Sequence, residues 1–146
     1  MDRKYMKIAI EEAKKAFLHN EVPVGAVIVK NNVILSKAYN KKNTTNCSLN
    51  HAEILAIKKA TEKNSDWRLN ECEMYITLEP CPMCAGAILQ SRIKKIYIGT
   101  KSNIKSNCDV IKNILQNMDY YHQVDIEYLN NKECAEMLSN FFLNKR

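Results

Sequence analysis

Residues 74–91, MYITLEPCPMCAGAILQS, decide the fold. Met74 to Leu78 is a short β-rich apolar run, the pattern of a buried strand. Pro82 stands where a first helical residue belongs, and Cys81 to Ser91 then reads as a helix. A strand that turns directly into a helix is half of a βα unit, so the rest of the chain is read for the same alternation. That helix is apolar almost all round (Met83, Ala85, Ala87, Ile88, Leu89), which predicts burial on most sides, with a subunit interface as one place for it.

Upstream, Asp2 to His19 carries a helical stripe of Met6, Ala9, Ala13, Ala16 and Phe17, with Asp2 as cap and Asn20 as stop. Val24 to Lys30 is a nearly unbroken apolar run and Val33 to Tyr39 is β-rich. Asn31-Asn32 between them suits a tight hairpin turn. His51 to Lys63 returns to helical spacing. Downstream, Lys95 to Ile98 reads as a strand and Asp109 to Met118 as a helix with Val110, Ile111, Ile114, Leu115 and Met118 on one face. Val124 to Tyr128 alternates like a half-exposed strand, and Asn131 onward is a last helix. The order α-β-β-α-β-α-β-α-β-α predicts a three-layer α/β/α sandwich around a five-stranded mixed sheet.

With 146 residues, 46% of them hydrophobic, the chain can bury one core, and residues 1–146 are expected to form a single domain. Three Gly and three Pro leave no room for a flexible linker. The longest apolar stretches, Val22 to Val29 and Met83 to Leu89, are too short to span a membrane. A soluble, cytoplasmic protein without a membrane partner is the expectation. Lys and Arg number 22 against 16 Asp and Glu, a surplus of six that favours polyanionic partners. Of the six cysteines, Cys47, Cys72, Cys108 and Cys134 are expected to be buried or incidental thiols.

Cys81 and Cys84 stand on one side of a helix N-terminus, where the helix dipole favours thiolates. His51 opens the other helix, and two loop-to-helix junctions on a shared sheet edge can bring its imidazole to the same metal. One nitrogen and two sulfurs leave a tetrahedral position open for water, whereas structural zinc sites close all four. Glu53 is then near the metal without binding it, as a proton shuttle should be. Residues two apart on a regular helix point nearly opposite ways, so His51 and Glu53 converge only if His51 lies in an irregular first turn. Competing readings stay open: a thioredoxin-like redox pair, or a closed zinc site with Cys47 or Cys72 as fourth ligand. His19 and His122 are given no role.

His51-Ala52-Glu53 followed by Pro80-Cys81-Pro82-Met83-Cys84 resembles the signature of the cytidine deaminase superfamily. Within it, Glu21-Val22-Pro23-Val24-Gly25-Ala26-Val27, Trp67-Arg68-Leu69, Thr77-Leu78-Glu79, Cys84-Ala85-Gly86-Ala87 and Ser91-Arg92-Ile93 resemble the bacterial tRNA-specific adenosine deaminases. Glu133-Cys134-Ala135, Leu138 and Phe141-Phe142 are similar to that family's last helix. The resemblance implies a cytidine deaminase-like fold, a homodimer with one zinc ion per subunit on His51, Cys81 and Cys84, and Glu53 as proton shuttle. It also implies that Asn40 hydrogen-bonds the flipped purine, that Ala52 offers a backbone group at the reacting centre, and that Phe141 and Phe142 help hold the anticodon stem-loop. The reaction implied is deamination of the wobble adenosine of an arginine tRNA to inosine, with zinc-activated water as nucleophile. Leu49-Asn50 before His51 and the glycine-free segment Lys101 to Cys108 depart from the family pattern. Lys41, Lys42, Lys101, Lys105, Lys145 and Arg146 are candidate phosphate contacts. The alternative is a zinc-dependent deaminase of a free nucleobase or nucleoside such as guanine, cytosine or cytidine.

Overall fold

In the computed structural model, which describes residues 2–144, the elements follow the expected order. They are α1 (Arg3–Leu18), β1 (Gly25–Lys30), β2 (Val33–Tyr39), α2 (Ala52–Asn64), β3 (Cys72–Leu78), α3 (Pro82–Gln90), β4 (Lys95–Thr100), α4 (Asn107–Leu115), β5 (Asp125–Tyr128) and α5 (Lys132–Leu143). The strands make one mixed sheet in the order β2-β1-β3-β4-β5. β1 is antiparallel to both its neighbours, while β3, β4 and β5 run parallel.

The period of two along each strand sorts side chains onto opposite faces. Ala26, Ile28, Met74, Ile76, Ile96 and Ile98 pack on one side with Ala52, Ala56 and Ala60 of α2, Ile88 and Leu89 of α3, and Ile111 and Leu115 of α4. Val27, Val29, Tyr75 and Tyr97 face the other way, against Tyr5, Met6, Ala9 and Ile10 of α1 and Cys134 of α5. These two cores make the predicted sandwich. Each fully buried aliphatic side chain, Ile76 or Ile96 for instance, contributes about 1.5–3 kcal/mol.

Local chemistry sets the connections. Asp2 caps α1 by accepting from the Lys4 amide. Asn31 and Asn32 both take positive φ (50° and 63°), the geometry of a tight hairpin turn between twisted strands. Gly25 opens β1 where the α1 backbone presses on the sheet; a Cβ there would collide with the Ala9 carbonyl oxygen.

The largest shift from an expected boundary is at the end of α4. α4 begins at Asn107 and ends at Leu115, so Met118 lies beyond it and is 81% exposed. The Val124 amide donates to the Leu115 carbonyl and Gln116 Nε2 donates to the Val124 carbonyl, which turns the chain towards β5 before the apolar stripe is complete.

Because β2 and β3 flank β1 as its antiparallel partners, they point the same way. The chain leaves both at one end of the sheet and enters α2 and α3 there. Two helix N-termini therefore meet at a single edge.

Candidate metal centre and base cavity

His51 is the residue before α2 and Cys81 the residue before α3, and both have extended backbones (φ −74°, ψ 155° and φ −75°, ψ 170°). Such cap positions usually carry a Ser, Thr, Asp or Asn that bonds a free helix amide. Among the described residues neither side chain does so. Each is turned instead to the space between the helices. His51 Nδ1 lies 3.6 Å from Cys81 Sγ and 3.4 Å from Cys84 Sγ. Donors on a tetrahedral zinc ion, with bonds of about 2.0 Å to nitrogen and about 2.3 Å to sulfur, stand about 3.6 Å apart. The donor set therefore fits such an ion in chemistry and spacing.

The extended backbone of His51 also answers the geometric objection. Glu53 lies inside the first turn of α2 while His51 lies outside it, so both reach one centre. Glu53 is buried, and burial pushes its carboxyl up to about 7, with the neighbouring Cys81 charge adding to the rise. Hydrogen bonds from Cys84 and His51 hold the Cys81 thiol well below its ordinary value. The Cys81 thiolate beside it, with burial, drives Cys84 the other way. The hydrogen bond to Cys81 raises His51.

Among the described residues the group that can hold a metal is His51, Cys81 and Cys84. Neither Cys47 nor Cys72 joins it, and all six cysteines are free thiols. Cys72 lies at the start of β3, deep in the sheet. A closed site with four protein ligands is not built here.

A cavity of about 290 Å³ opens onto the centre. Its lining includes Asn40, Lys42, His51, Ala52, Glu53 and Cys81, and across from them Glu79, Ser102, Ile104 and Asn107. Asn40 Nδ2 donates to the Val22 carbonyl at 3.3 Å and its Oδ1 accepts from the Lys42 amide at 3.1 Å, which fixes the amide plane and leaves one N–H for a ligand.

A family profile described as MafB19-like deaminase matches residues 1–146. The chain is 44% identical to a tRNA-specific adenosine deaminase of Bacillus subtilis, over 99% of this chain and 91% of that one. It is 42% identical to a tRNA-specific adenosine deaminase of Aquifex aeolicus, over 97% and 94% of the two chains. The chain belongs to the tRNA-specific adenosine deaminase family. A solved structure from work on tRNA:A34 deaminases, which edit A to I at the wobble position of transfer RNA, superimposes with a TM-score of 0.84. It has 32% identity and covers 94% of this chain and 100% of that one. The sandwich is thus the cytidine deaminase-like fold, and the protein is a deaminase.

Of the residues singled out in the deaminase sequence, His51, Ala52, Glu53, Cys81 and Asn40 line the cavity, and Cys84 lies against them. Phe141 is buried in α5 with its ring edge against Phe17, while Phe142 is 45% exposed; both stand apart from the cavity lining. Lys42 is on the cavity rim, Lys41 lies over the Tyr39 ring and Lys101 over the Tyr128 ring. Lys145 and Arg146 lie outside the described residues. Glu79, Ser102, Ile104 and Asn107 were given no site role, although Glu79 lies in a stretch that carries the resemblance and the other three in the atypical segment Lys101 to Cys108. The signal that points to them is the unusual loop itself, together with an acidic residue just before Pro80-Cys81. No helix among the described residues is long and apolar enough to cross a membrane.

Proposed function

We propose that this deaminase converts adenosine to inosine at the wobble position of a tRNA, an arginine tRNA in particular, using zinc held by His51, Cys81 and Cys84. The observation that carries the reading is a buried carboxylate, Glu53, that stands outside the donor group and faces a cavity lined by two of its three members, His51 and Cys81. When bound, zinc supplies the Lewis acidity that makes water a nucleophile near neutral pH. Glu53 takes one proton from the attacking water and delivers it to the purine ring, then takes the second from the hydroxyl now on C6 and delivers it to the leaving amine. Water oxygen bonds to C6, the C6–N bond breaks, and ammonia departs. Asn40 offers its remaining N–H to the purine, and Ala52 a backbone group close to C6.

Relatives that bear the name tRNA-specific adenosine deaminase support the choice of substrate. An unpaired anticodon loop is also the cheaper substrate, because extruding a base from a duplex costs a few kcal/mol. Lys42, Lys101 and Lys105 stand at the phosphate backbone and Phe142 under the loop. The working unit is a homodimer of single-domain subunits in the cytoplasm, each with one zinc. The half-exposed apolar face of α3, with Met83, Gly86 and Ala87, supports that assembly. Mass spectrometry of a tRNA pool incubated with the zinc-loaded protein should gain inosine at one anticodon position. Rapid turnover of free guanine or cytosine with unmodified tRNA would overturn the assignment.

A further inference from the structure

We infer that Glu79 is a positioning residue that clasps the loop between β4 and α4 and thereby fixes the wall against which the target nucleotide is selected. The inference rests on the RNA deaminase reading for its functional half only. Glu79 follows β3 directly, is 4% exposed, and lines the cavity. Its Oε2 accepts from the Tyr128 hydroxyl at 2.6 Å. Its Oε1 accepts from Asn107 Nδ2 at 2.8 Å and from the Ser102 amide at 3.4 Å. The end of β5, the loop and the start of α4 thus converge on one carboxylate.

A buried carboxylate persists only when its oxygens are filled by donors. Here two of the three donors belong to the loop and α4, so Glu79 and the loop hold each other in place. Asn107 uses its second N–H on the Pro80 carbonyl at 3.1 Å, which ties the same clasp to the turn that presents Cys81. At the other end of the loop the Lys101 ammonium stands 5.2 Å above the Tyr128 ring, so one tyrosine holds both the loop's first residue and its clasp.

Between these anchors the loop's own hydrogen bonds are short-range, from the Ile104 amide to Ser102 Oγ and from the Asn107 amide to the Ile104 carbonyl. Ile104 is 66% exposed on the cavity rim. An apolar side chain presented there meets whatever lies beside the extruded base. Its position depends on the clasp, because the loop packs little of itself into the core. With its oxygens occupied by three donors, Glu79 leaves proton transfer to Glu53.

Two variants test this in metal-loaded protein. Tyr128→Phe deletes one donor that lies outside the cavity, and Glu79→Gln keeps the shape while replacing one acceptor oxygen by a donor. Amide hydrogen exchange at Ser102 should rise about tenfold in each, with β1 and β3 amides unchanged and the metal content intact. On an anticodon stem-loop RNA, KM should rise more than kcat falls. Unchanged exchange at Ser102, a rise spread over the whole sheet, or a KM that stays put while Ser102 loosens would each overturn the inference. A wild-type enzyme inactive on the stem-loop would instead sink the substrate reading and leave the exchange comparison standing.

Discussion

The difference between His51 and Glu53 is one of backbone state. His51 is extended and outside α2, Glu53 is helical and inside it, and a two-residue spacing that a regular helix would send to opposite sides serves one centre. Glu53→Gln keeps volume and removes the proposed proton carrier, so kcat should fall by about a hundredfold to ten-thousandfold while the metal content stays unchanged; kinetics beside metal analysis reads both. A variant that kept its rate would remove Glu53 from the reaction. That His51, Cys81 and Cys84 would come together was legible from residue type and spacing, because a His before one helix and a Cys-x-x-Cys at the start of another share a sheet edge. Asn40 was legible only through resemblance, since an asparagine at a strand end has many ordinary uses. Glu79 was not, since nothing in its own position announces that three distant donors fill its oxygens.

Between elements, Glu21 clamps the segment that follows β2. Its side chain is fully buried between α1 and β1, where it accepts from the Asn43 amide at 3.0 Å, and from the Thr44 amide and hydroxyl at 2.6 Å each. Burial alone would raise the carboxyl, but the Thr44 and Asn43 donors outweigh it and leave Glu21 below its ordinary value. A carboxylate lowered on folding stabilises the fold above its unfolded pKa of about 4.3, and the gain is lost as pH falls through the lower folded value. In urea unfolding, the stability lost in Glu21→Gln should therefore be largest at neutral pH and shrink below about pH 4. A gap that stayed constant with pH would contradict the clamp. The elements themselves were readable because their periods are clean. The end of α4 was not, because Met118 continues the apolar stripe although tertiary hydrogen bonds to Val124 have already drawn the chain away.

At the scale of the whole molecule, the surplus of six positive charges is general, yet Lys42 lines the cavity, and Lys101 and Lys105 belong to the segment that brings Ser102 and Ile104 to its wall. Binding of an anticodon stem-loop should weaken with salt, and Lys42→Ala should flatten the log–log slope by about 0.7–0.9, one phosphate's share. Equal slopes for the two proteins would place Lys42 outside the RNA path. The layer order was legible from the alternation of periods, and it alone brings two helix starts to one sheet edge. Which faces would bind a second subunit or an RNA depends on shapes that composition does not encode.

The two helix starts that give up their caps have a consequence for the life of the protein in the cell. A metal ion shared by His51 and Cys81, 30 residues apart, would stitch the chain much as a covalent cross-link does. Chains made during metal starvation would carry two frayed segments within reach of proteases, so scarcity would lower the amount of enzyme as well as its specific activity.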